Sequence, residues 1–586
     1  MPDTDFIVAA AAPRLTLADP AANAASIRAC MERAHAGRAA LLVLPKLCIT
    51  GLTCGDLFWQ QVLLEAAERA LLDLIRASEK LPGLTLLVGA PLRYERALYS
   101  CAVAIRDGAL LGAAPLPSDD PRSFASPERV QGQFSLAGQP PVPFAHNMII
   151  RCGEYTVCME PGADVLACLS AFPADAVSDE RLPAMAAAAS RQTGGAFVLA
   201  CPGPGESSTD YVYTGLCAIA ENGALLGASE SEAGESFLLQ TLTPRRREKA
   251  AAPDVSAAPD AQNPWLPADG HRAAALGRIV TLQAMGLRRR MRHMGARGIA
   301  LGLSGGLDST LALLVGVRAL DMQGLPRERL LAVTMPCFGT SGRTRSNAEK
   351  LAALLRTGFR CISIQSAVKQ HFLDIGHDPA VLDTVFENAQ ARERTQVLMD
   401  LANAEGSVLV GTGDLSELAL GWCTYNGDHM SMYGVNAGLP KTVIRAVISH
   451  EADVCESAEL AAVLRDVVAT PVSPELLPSE NDSIAQRTED VLGPYELHDF
   501  FLFHFLREGV APAELLRRAA EAFQGDYDAA AIRRCLETFL RRFFSQQFKR
   551  SCMPDGPAVL GLSLSPRGGW QMPSDVGAAP WLENLP

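Results

Sequence analysis

A short stretch of serine, glycine and aspartate residues, Ser304-Gly305-Gly306-Leu307-Asp308-Ser309, has the residue types of a phosphate-binding loop. It lies between a predicted buried strand, Ile299–Leu303, and a predicted helix, Thr310–Leu320. Glycines let the backbone approach a ligand closely, and the N–H groups that begin a helix favour an anion. The two serines add hydroxyl donors, while Asp308 is suited to holding Mg²⁺ on a phosphate. The pattern predicts a phosphate-binding loop in preference to a simple tight turn.

A second position of possible chemistry is Lys46, a cation at the end of another predicted strand. The apolar run Leu41–Leu44 reads as a buried strand, Pro45 ends it, and a loop rich in Gly, Thr and Cys follows. Ligand and reactive groups of α/β enzymes collect at strand ends. Taken alone, the position suggests a catalytic lysine.

The elements that must position these residues fall into two α/β regions. In the first 240 residues, short apolar runs alternate with Ala-rich helical stretches. The predicted strands there are 41–45, 84–92, 100–105, 147–152, 155–159, 164–170 and 196–203, and the predicted helices are 20–39 and 60–80. The second region has apolar runs typical of buried parallel strands at 298–304, 329–336, 360–365 and 406–413, and is mainly helical from about residue 450.

Between the two regions, residues 243–269 are rich in Pro, Ala and charged residues and have no hydrophobic period. This composition predicts a linker. We therefore expect domains at 1–242 and 270–586, joined by 243–269.

The composition is that of a globular protein with more than one core. The chain has 586 residues, a formal net charge of −13 and no basic run longer than Arg245–Arg247. This balance argues against general nucleic-acid binding. The 15 cysteines form no C-x-x-C pair, which predicts reduced thiols in a cytoplasmic protein. The most apolar long stretch, 299–320, contains Asp308, Arg318 and four glycines, so no membrane span is expected.

The glycine-rich loop resembles the pyrophosphate loop of the ATP pyrophosphatase superfamily, whose members cleave ATP between the α- and β-phosphates and adenylate a substrate oxygen. Six further segments resemble NAD synthetase; they are 334–355, 386–403, 411–436, 439–445, 492–502 and 548–557. The resemblance covers essentially all of 270–586 and is closest to the long bacterial form, which carries an N-terminal glutaminase domain. It implies ATP-dependent amidation of nicotinic acid adenine dinucleotide (deamido-NAD⁺) to NAD⁺, with release of AMP and pyrophosphate.

The resemblance also implies the roles of individual residues. The implied ATP-binding residues are Ser304, Gly305, Gly306, Asp308, Ser309, Thr412, Glu417 and Lys441. Among them, Asp308 and Glu417 are implied to bind Mg²⁺. The implied substrate-binding residues are Arg392, Arg394, Asp428 and Lys549. The implied catalytic residues are Asp308, Glu417, Asp428 and Lys441.

The implied fold is α/β, with an N-terminal nitrilase-like α-β-β-α sandwich and a C-terminal doubly wound, parallel-sheet domain of Rossmann-like form with a helical C-terminal region. The implied cofactor is Mg²⁺, with ATP as co-substrate. The expected partners are deamido-NAD⁺ and either ammonia or glutamine, with no nucleic acid and no membrane. Members of the family form oligomers, so a homo-oligomer in the cytoplasm is expected.

The N-terminal half departs from the family at the three positions of the glutaminase triad. Lys46 stands where the family has the general-base glutamate, and Leu116 stands where it has the oxyanion-stabilising lysine. Cys158 aligns with the nucleophile if a preceding hairpin is shortened, whereas a gapless pairing places Glu160 there. An ammonium that stays protonated cannot take a thiol proton. We therefore expect a pseudo-glutaminase fused to an ammonia-using synthetase.

Two alternatives stay open. The chain could be an ordinary glutamine-dependent NAD synthetase with a rearranged but working amidase site, in which Lys46 is a displaced oxyanion lysine or a base of depressed pKa. Residues 1–242 could also be retained as a non-catalytic assembly or regulatory module, which is compatible with the ammonia-using synthetase.

Overall fold

The computed structural model describes residues 6–118, 120–128, 130–232, 234–243, 259–268, 270–339, 342–473, 476–477, 488–583 and 585. The chain divides into two compact units. The first comprises Met1–Ser207 with Val212–Ser256, and the second comprises Ser208–Tyr211 with Ala257–Pro586. Most of the predicted linker, residues 244–258 and 269, lies outside the described residues.

The first unit contains fourteen strands and three α-helices in its described part. The strands are β1 Phe6–Ala12, β2 Leu41–Val43, β3 Thr85–Tyr94, β4 Ala97–Arg106, β5 Ala109–Pro115, β6 Gln131–Phe134, β7 Val142–Ala145, β8 Ile150–Cys152, β9 Tyr155–Cys158, β10 Val165–Leu169, β11 Ala196–Ala200, β12 Cys217–Glu221, β13 Ala224–Ser229 and β14 Ser236–Leu242. The helices are α1 Pro20–Ala36, α2 Gln61–Ser78 and α3 Ser178–Thr193.

These strands form two sheets that pack face to face. The eight-stranded sheet has the order β14-β1-β2-β3-β4-β5-β7-β6, and the six-stranded sheet has the order β13-β12-β11-β10-β9-β8. Successive side chains of a strand point to opposite faces. Accordingly, Val43 packs in the core between the sheets with Val165 and Val198, whereas Leu42 packs outward in a core shared with Ile27 of α1 and Leu71 of α2.

Helix α3 covers the outer face of the six-stranded sheet, where Leu182 and Ala186 pack with Leu199 and Ala218. The layers are therefore helix, sheet, sheet and helix, which confirms the α-β-β-α sandwich. Helix α1 begins where the sequence indicates, because the Asp19 carboxylate accepts a hydrogen bond from the backbone N–H of Ala22 and a proline occupies the first turn.

The second unit contains a five-stranded sheet and fourteen α-helices in its described part. The strands are β15 Gly298–Gly302, β16 Leu330–Thr334, β17 Gly358–Cys361, β18 Ser407–Gly411 and β19 Tyr433–Gly434. The helices are α4 Arg272–Met294, α5 Leu307–Asp321, α6 Gly342–Leu355, α7 Gln365–Ile375, α8 Thr384–Glu405, α9 Leu415–Leu420, α10 Lys441–Val454, α11 Ala458–Ala469, α12 Thr488–Leu492, α13 Tyr495–Arg507, α14 Pro512–Ala522, α15 Ala529–Ser545, α16 Gln547–Arg550 and α17 Ala579–Glu583.

The five strands are parallel throughout and follow the order β17-β16-β15-β18-β19. Helix α8 packs on one face, against Ala300 and Leu409. Helix α5 packs on the other, where a Cβ added at Gly316 would meet the side chains of Leu330 and Ile299. The sheet is therefore doubly wound, as the resemblance implies. Its strand order reverses between β15 and β18, the place where such sheets bind ligands.

The C-terminal region of the second unit is helical and rich in aromatic contacts, as expected from the sequence. Phe539 of α15 lies against Phe501 of α13 and Phe543 of its own helix. Trp265, within the predicted linker, is buried and donates a hydrogen bond from Nε1 to the carbonyl oxygen of Asp499. The last residues of that segment therefore belong to the core of this unit. No helix among the described residues is long and apolar enough to cross a bilayer.

Candidate active site

The loop between β15 and α5 is held in one conformation by close backbone contacts. Gly305 has a φ of +88°, and a Cβ placed there would lie 2.1 Å from the carbonyl oxygen of Thr344. Only glycine fits such a position. Helix α5 begins at Leu307, three residues earlier than predicted, because Gly306 serves as its N-cap. Asp308 and Ser309 therefore lie in the first helical turn.

The serine hydroxyls of this loop contact one another. Ser304 Oγ lies 3.0 Å from Ser309 Oγ and accepts a hydrogen bond from the backbone N–H of Gly306 at 3.2 Å. Both serines and Asp308 line a cavity of about 230 Å³ at the carboxyl ends of β15 and β18. Thr412, Arg394 and Asp428 line the same cavity, so the structure brings six predicted site residues together there.

Beside the cavity, Lys441 lies among three carboxylates. Its Nζ is 2.7 Å from Asp308 Oδ2, 2.7 Å from Asp414 Oδ2 and 2.9 Å from Glu417 Oε1. Lys441 is the first residue of α10, Asp414 is the N-cap of α9, and Glu417 lies in the first turn of α9. Three helix N-termini, those of α5, α9 and α10, therefore supply the cluster.

Burial and mutual charge set the protonation of this cluster. Burial alone would lower the pKa of Lys441, but the three carboxylates together raise it well above its ordinary value. Burial raises the pKa of Asp414 and of Glu417, and the Lys441 ammonium opposes both shifts. A single cation for three carboxylates leaves negative charge in excess, which favours binding a further cation.

The cluster has the donor set of a magnesium site. Oxygen atoms of Asp308, Asp414 and Glu417 lie within 4.8 Å of one another, the one such group among the described residues. Asp308 Oδ1 is buried and has no hydrogen-bond partner. Hard carboxylate oxygens are the ligands that Mg²⁺ prefers. The residues therefore fit this ion.

A fourth buried carboxylate, that of Asp499 on α13, orients the helices that carry the cluster. Asp499 Oδ2 accepts hydrogen bonds from the backbone N–H and the hydroxyl of Thr442 at 2.9 and 2.8 Å, and Oδ1 accepts from the hydroxyl of Ser416. The hydroxyl oxygen of Ser416 in turn accepts from the backbone N–H of Lys441 at 2.9 Å. The pKa of Asp499 is raised to about 6, because the effect of burial exceeds the opposing effect of these hydrogen bonds.

Comparison with known proteins assigns the family. The NAD synthase family matches residues 279–527. Glutamine-dependent NAD(+) synthetase of Mycobacterium tuberculosis strain H37Rv is 37% identical over an alignment that covers 99% of this chain and 97% of that protein. The corresponding protein of Mycobacterium leprae is 35% identical at the same coverage. The crystal structure of a glutamine-dependent NAD(+) synthetase from Cytophaga hutchinsonii superposes with a TM-score of 0.80 at 19% identity, covering 99% of this chain and 100% of that one, and shares the fold.

The chain belongs to the glutamine-dependent NAD(+) synthetase family. It is therefore an enzyme of NAD biosynthesis that forms a C–N bond, and ATP is a substrate of its family. The nitrilase-like sandwich and the parallel sheet are the two halves of this family's architecture.

Other residues that a NAD synthetase resemblance implies lie around the loop 421–430. Arg392 donates to the carbonyl oxygen of Tyr425 from Nε and Nη2, both at 3.4 Å. Lys549 Nζ donates to the carbonyl oxygens of Gly421 and Cys423 at 2.7 and 2.8 Å. Neither residue lines the cavity that contains Asp428. Both hold the backbone of the loop on which Asp428 lies.

Arg550 and His498 are structural in the described contacts. Arg550 is buried and donates to the carbonyl oxygens of Leu418 and Ala419, at the C-terminal end of α9. Burial lowers the pKa of His498 to about 4, and its Nε2 lies 2.9 Å from the carbonyl oxygen of Leu492.

The three degenerate positions of the first unit are all buried. Lys46 is 7% exposed, and its Nζ donates a hydrogen bond to the carbonyl oxygen of Pro117. The Leu116 side chain packs in the core between the two sheets. Cys158 is 4% exposed, and its Sγ accepts a hydrogen bond from the backbone N–H of Glu160 at 3.4 Å.

A cavity of about 910 Å³ opens beside these positions and is lined by Pro117 and Glu160 among others. The carboxylate of Glu206 is buried and accepts hydrogen bonds from the N–H groups of Leu52 and Thr53 and from the Thr53 hydroxyl. These hydrogen bonds fix the loop that follows Lys46.

Sequence reasoning missed two residues of the synthetase site, Asp414 and Asp499. Asp414 was detectable, because Asp414-Leu415-Ser416-Glu417 has the spacing of a helix-capping pair directly after the Gly-Thr-Gly turn. Its Oδ1 accepts a hydrogen bond from the Glu417 N–H at 2.7 Å. Nothing local to Asp499 indicates its role, since its partners lie 57 and 83 residues away.

Proposed function

We propose that this protein converts deamido-NAD⁺ to NAD⁺ with ATP, Mg²⁺ and free ammonia, in a homo-oligomer whose number of subunits is open. The observation that carries the proposal is the cluster of Asp308, Asp414, Glu417 and Lys441 beside a phosphate-type loop, at the point where the strand order of the parallel sheet reverses. The family relationship supplies the reaction class.

The loop 304–309 is suited to hold the phosphates of ATP. The hydroxyls of Ser304 and Ser309 are 3.0 Å apart and line the cavity. The N-terminal turn of α5 adds backbone donors and a favourable helix dipole. Thr412 and Arg394 line the same cavity, and a hydroxyl and a guanidinium are suited to contact anionic oxygens. Gly305 and Gly306 leave room for the ligand.

Asp308 and Glu417 would hold the metal ion, and Asp414 lies within reach of both. Mg²⁺ bound there would neutralise the negative charge that develops on the ATP phosphates. The Lys441 ammonium opposes the burial that raises the pKa of Asp414 and of Glu417, and it contacts all three carboxylates at 2.7–2.9 Å. It therefore has a structural share in the site beyond the contact with ATP that the sequence implies.

Amidation of a carboxylate needs activation, because its leaving group would be oxide. Transfer of AMP to the carboxylate of the substrate supplies a good leaving group, which ammonia then displaces. The transition state gathers negative charge near the loop and the cluster, and fixed positive groups lower its energy. Asp428, at the cavity wall, is the proposed residue on the nicotinate side, and Arg392 and Lys549 position its loop.

Free ammonia is the proposed donor because the residues that the structure describes in the first unit include no complete amidase triad at the predicted positions. At the base position stands Lys46, whose Nζ donates to a carbonyl oxygen, and at the oxyanion position stands the apolar Leu116. No carboxylate contacts the thiol of Cys158 among the described residues. Without a base, the thiol is not activated as a nucleophile.

A glutamine-using enzyme is the second candidate, and the mycobacterial relatives favour it. They are named glutamine-dependent NAD(+) synthetases and align over 99% of this chain. In this alternative, a rearranged site in the first unit would release ammonia. The competing role for the first unit is a non-catalytic assembly module.

The proposal is tested by incubating the purified full-length protein with ATP, Mg²⁺, deamido-NAD⁺ and ammonium chloride, and measuring NAD⁺, AMP and pyrophosphate. Equal amounts of the three products are expected, and Asp308→Ala is expected to abolish them. Product formation that Asp308→Ala leaves intact would contradict the assignment of the site.

A further inference from the structure

Cys552 and His429 form a thiol–imidazole pair in the second unit, outside the cluster described above. Cys552 Sγ lies 3.3 Å from His429 Nε2. Cys552 follows α16 and is partly exposed, whereas His429 is only 4% exposed. The arrangement joins a nucleophile that solvent can reach to a base that packing holds in place.

Hydrogen bonding fixes the tautomer of the imidazole. His429 Nδ1 lies 2.9 Å from the carbonyl oxygen of Thr424, which can only accept, so Nδ1 carries the proton. Nε2 is then an acceptor, and the Cys552 thiol donates to it. Asn426 Oδ1 and the carbonyl oxygen of Lys549 also lie within reach of Sγ, each at 3.5 Å. Neither of those two oxygens can take a proton at neutral pH, whereas the imidazole can.

Burial favours the neutral form of the imidazole. It lowers the pKa of His429, the hydrogen bond to Thr424 and the charge of Asp428 raise it, and Lys549 of α16 lowers it. The neighbouring thiol of Cys423 is partly buried, and burial raises its pKa. A neutral imidazole at physiological pH is available as a base for the Cys552 thiol.

We propose that Cys552 is a reactive thiol, deprotonated by His429, that is modified by small electrophiles and by peroxides. In reaction with hydrogen peroxide, the proton passes to His429 Nε2 and the sulfur attacks one peroxide oxygen. The O–O bond breaks, and the departing hydroxide takes the proton from the imidazolium to give water. The thiol is oxidised to a sulfenic acid and the peroxide is reduced.

The modification is expected to lower NAD⁺ synthesis. Cys552 lies three residues after Lys549, and His429 directly follows Asp428, so the pair joins the two segments that border the proposed nicotinate side. An added oxygen or alkyl group on Sγ breaks the contact with Nε2. This effect on activity rests on the proposed function, whereas the reactivity of the thiol does not.

The reactivity is tested by brief treatment of the full-length protein with iodoacetamide at pH 6.5, followed by mass spectrometry of each cysteine peptide. Exposed Cys361 is the internal reference, and buried Cys217, whose pKa burial raises, is the negative control. Labelling of Cys552 is expected to be at least about tenfold faster than that of Cys361, and His429→Gln is expected to remove the difference. Slower labelling of Cys552 than of Cys361, or labelling of Cys552 in His429→Gln that is as fast as in the wild type, would overturn the proposal.

If His429→Gln fails to fold, the pH dependence of Cys552 labelling in the wild type tests the proposal instead. Labelling of an unassisted thiol of ordinary pKa rises about 50-fold between pH 6.5 and 8.5. Labelling of Cys552 is expected to rise by less than about fivefold, because the imidazole removes the proton throughout this range. A rise as steep as that of an unassisted thiol would overturn the proposal.

The peroxide reaction is tested with dimedone, which traps sulfenic acids, and with Cys552→Ser. Hydrogen peroxide is expected to give a dimedone adduct at Cys552 and a loss of ammonia-driven NAD⁺ formation that Cys552→Ser resists. Absence of the adduct would overturn the proposal that peroxide oxidises Cys552. Adduct formation without loss of activity would overturn only its link to NAD⁺ synthesis, and the reactive thiol would stand.

Discussion

The ammonium of Lys441 lies 2.7 Å from Asp414 Oδ2, and both side chains are fully buried. Asp414 also caps α9, since its Oδ1 accepts a hydrogen bond from the Glu417 N–H. One residue therefore fixes the two groups that flank the proposed metal position, the carboxylate of Glu417 and the ammonium of Lys441. This dual role makes Asp414 a positioning residue of the synthetase site.

Two substitutions separate the roles of Asp414. Asp414→Asn keeps an oxygen that can cap α9 but removes the charge that faces Lys441. We expect a loss of about tenfold to a hundredfold in kcat, because misplaced charge raises the barrier. The fall in unfolding temperature should be smaller than that of Lys441→Met, because Lys441 keeps its contacts with Asp308 and Glu417. Asp414→Ala removes the cap as well and should cost a further ~1 kcal/mol of stability. Wild-type kcat in Asp414→Asn, measured at saturating ATP, would remove Asp414 from the site.

Lys441→Met leaves three carboxylates without their shared cation. Breaking a buried ion pair from one side costs about 3–5 kcal/mol, so we expect a large fall in the unfolding temperature as well as loss of NAD⁺ formation. Arg445→Met is the matched control on the same helix, because the Arg445–Glu496 pair is at the surface and such pairs contribute about 0–1 kcal/mol. Calorimetric scans of the two variants make the comparison. Equal unfolding temperatures would show that the buried cluster does not depend on Lys441.

The raised pKa of Asp499 predicts that the free energy of unfolding depends on pH. Its pKa is about 6 in the folded protein and near 3.9 in an unfolded chain. The folded state therefore binds the extra proton between these values, and the contribution of Asp499 to stability rises as pH falls through 6. Between pH 7.5 and 5 the wild type should gain about 1 kcal/mol relative to Asp499→Asn.

The control for Asp499 is Asp453→Asn, since Asp453 is exposed and pairs only with the exposed Arg465 in the described contacts. The difference in unfolding free energy between wild type and Asp453→Asn should stay constant over the same pH range. An Asp499→Asn difference that stays equally constant would mean that the carboxyl is ionised throughout.

In the first unit, Lys46→Met and Cys158→Ala are expected to leave ammonia-driven NAD⁺ formation within about twofold of wild type. The reason is that neither side chain takes part in the reaction proposed for the second unit. Initial rates at saturating ammonium measure the effect. A loss of tenfold or more in Cys158→Ala, with an unchanged unfolding temperature, would contradict this, because it would show that the thiol takes part in the ammonia-driven reaction.

The hydrophobic pattern predicted the class of both units because buried strands and amphipathic helices leave local signals. The strands around Val43, Val165 and Ile299 were each placed within a few residues. The strands that were not predicted are β1, β5, β6, β7, β12, β13, β14 and β19. Of these, β6 and β13 are edge strands with few buried positions, and their sequences resemble loops.

The glycine-rich loop was predicted because it follows a buried strand, and the other members of the cavity were implied by the resemblance to NAD synthetase. The ion pairs of Lys441 were not, because Asp308 lies 133 residues away and the Pro-Lys-Thr motif carries no sign of burial. The hydrogen bonds of Asp499 were missed for the same reason. Contacts between helices distant in sequence depend on packing, which no local period encodes.

The account is tested most directly by the source of the nitrogen in NAD⁺. The purified protein would receive ATP, Mg²⁺, deamido-NAD⁺, glutamine labelled with ¹⁵N at the amide, and unlabelled ammonium at equal concentration. Mass spectrometry of the NAD⁺ product reads the label in its carboxamide. We predict NAD⁺ whose carboxamide nitrogen is ¹⁴N, drawn from ammonium. NAD⁺ carrying mainly ¹⁵N would contradict the account, because it would show that the first unit hydrolyses glutamine and passes the nitrogen on.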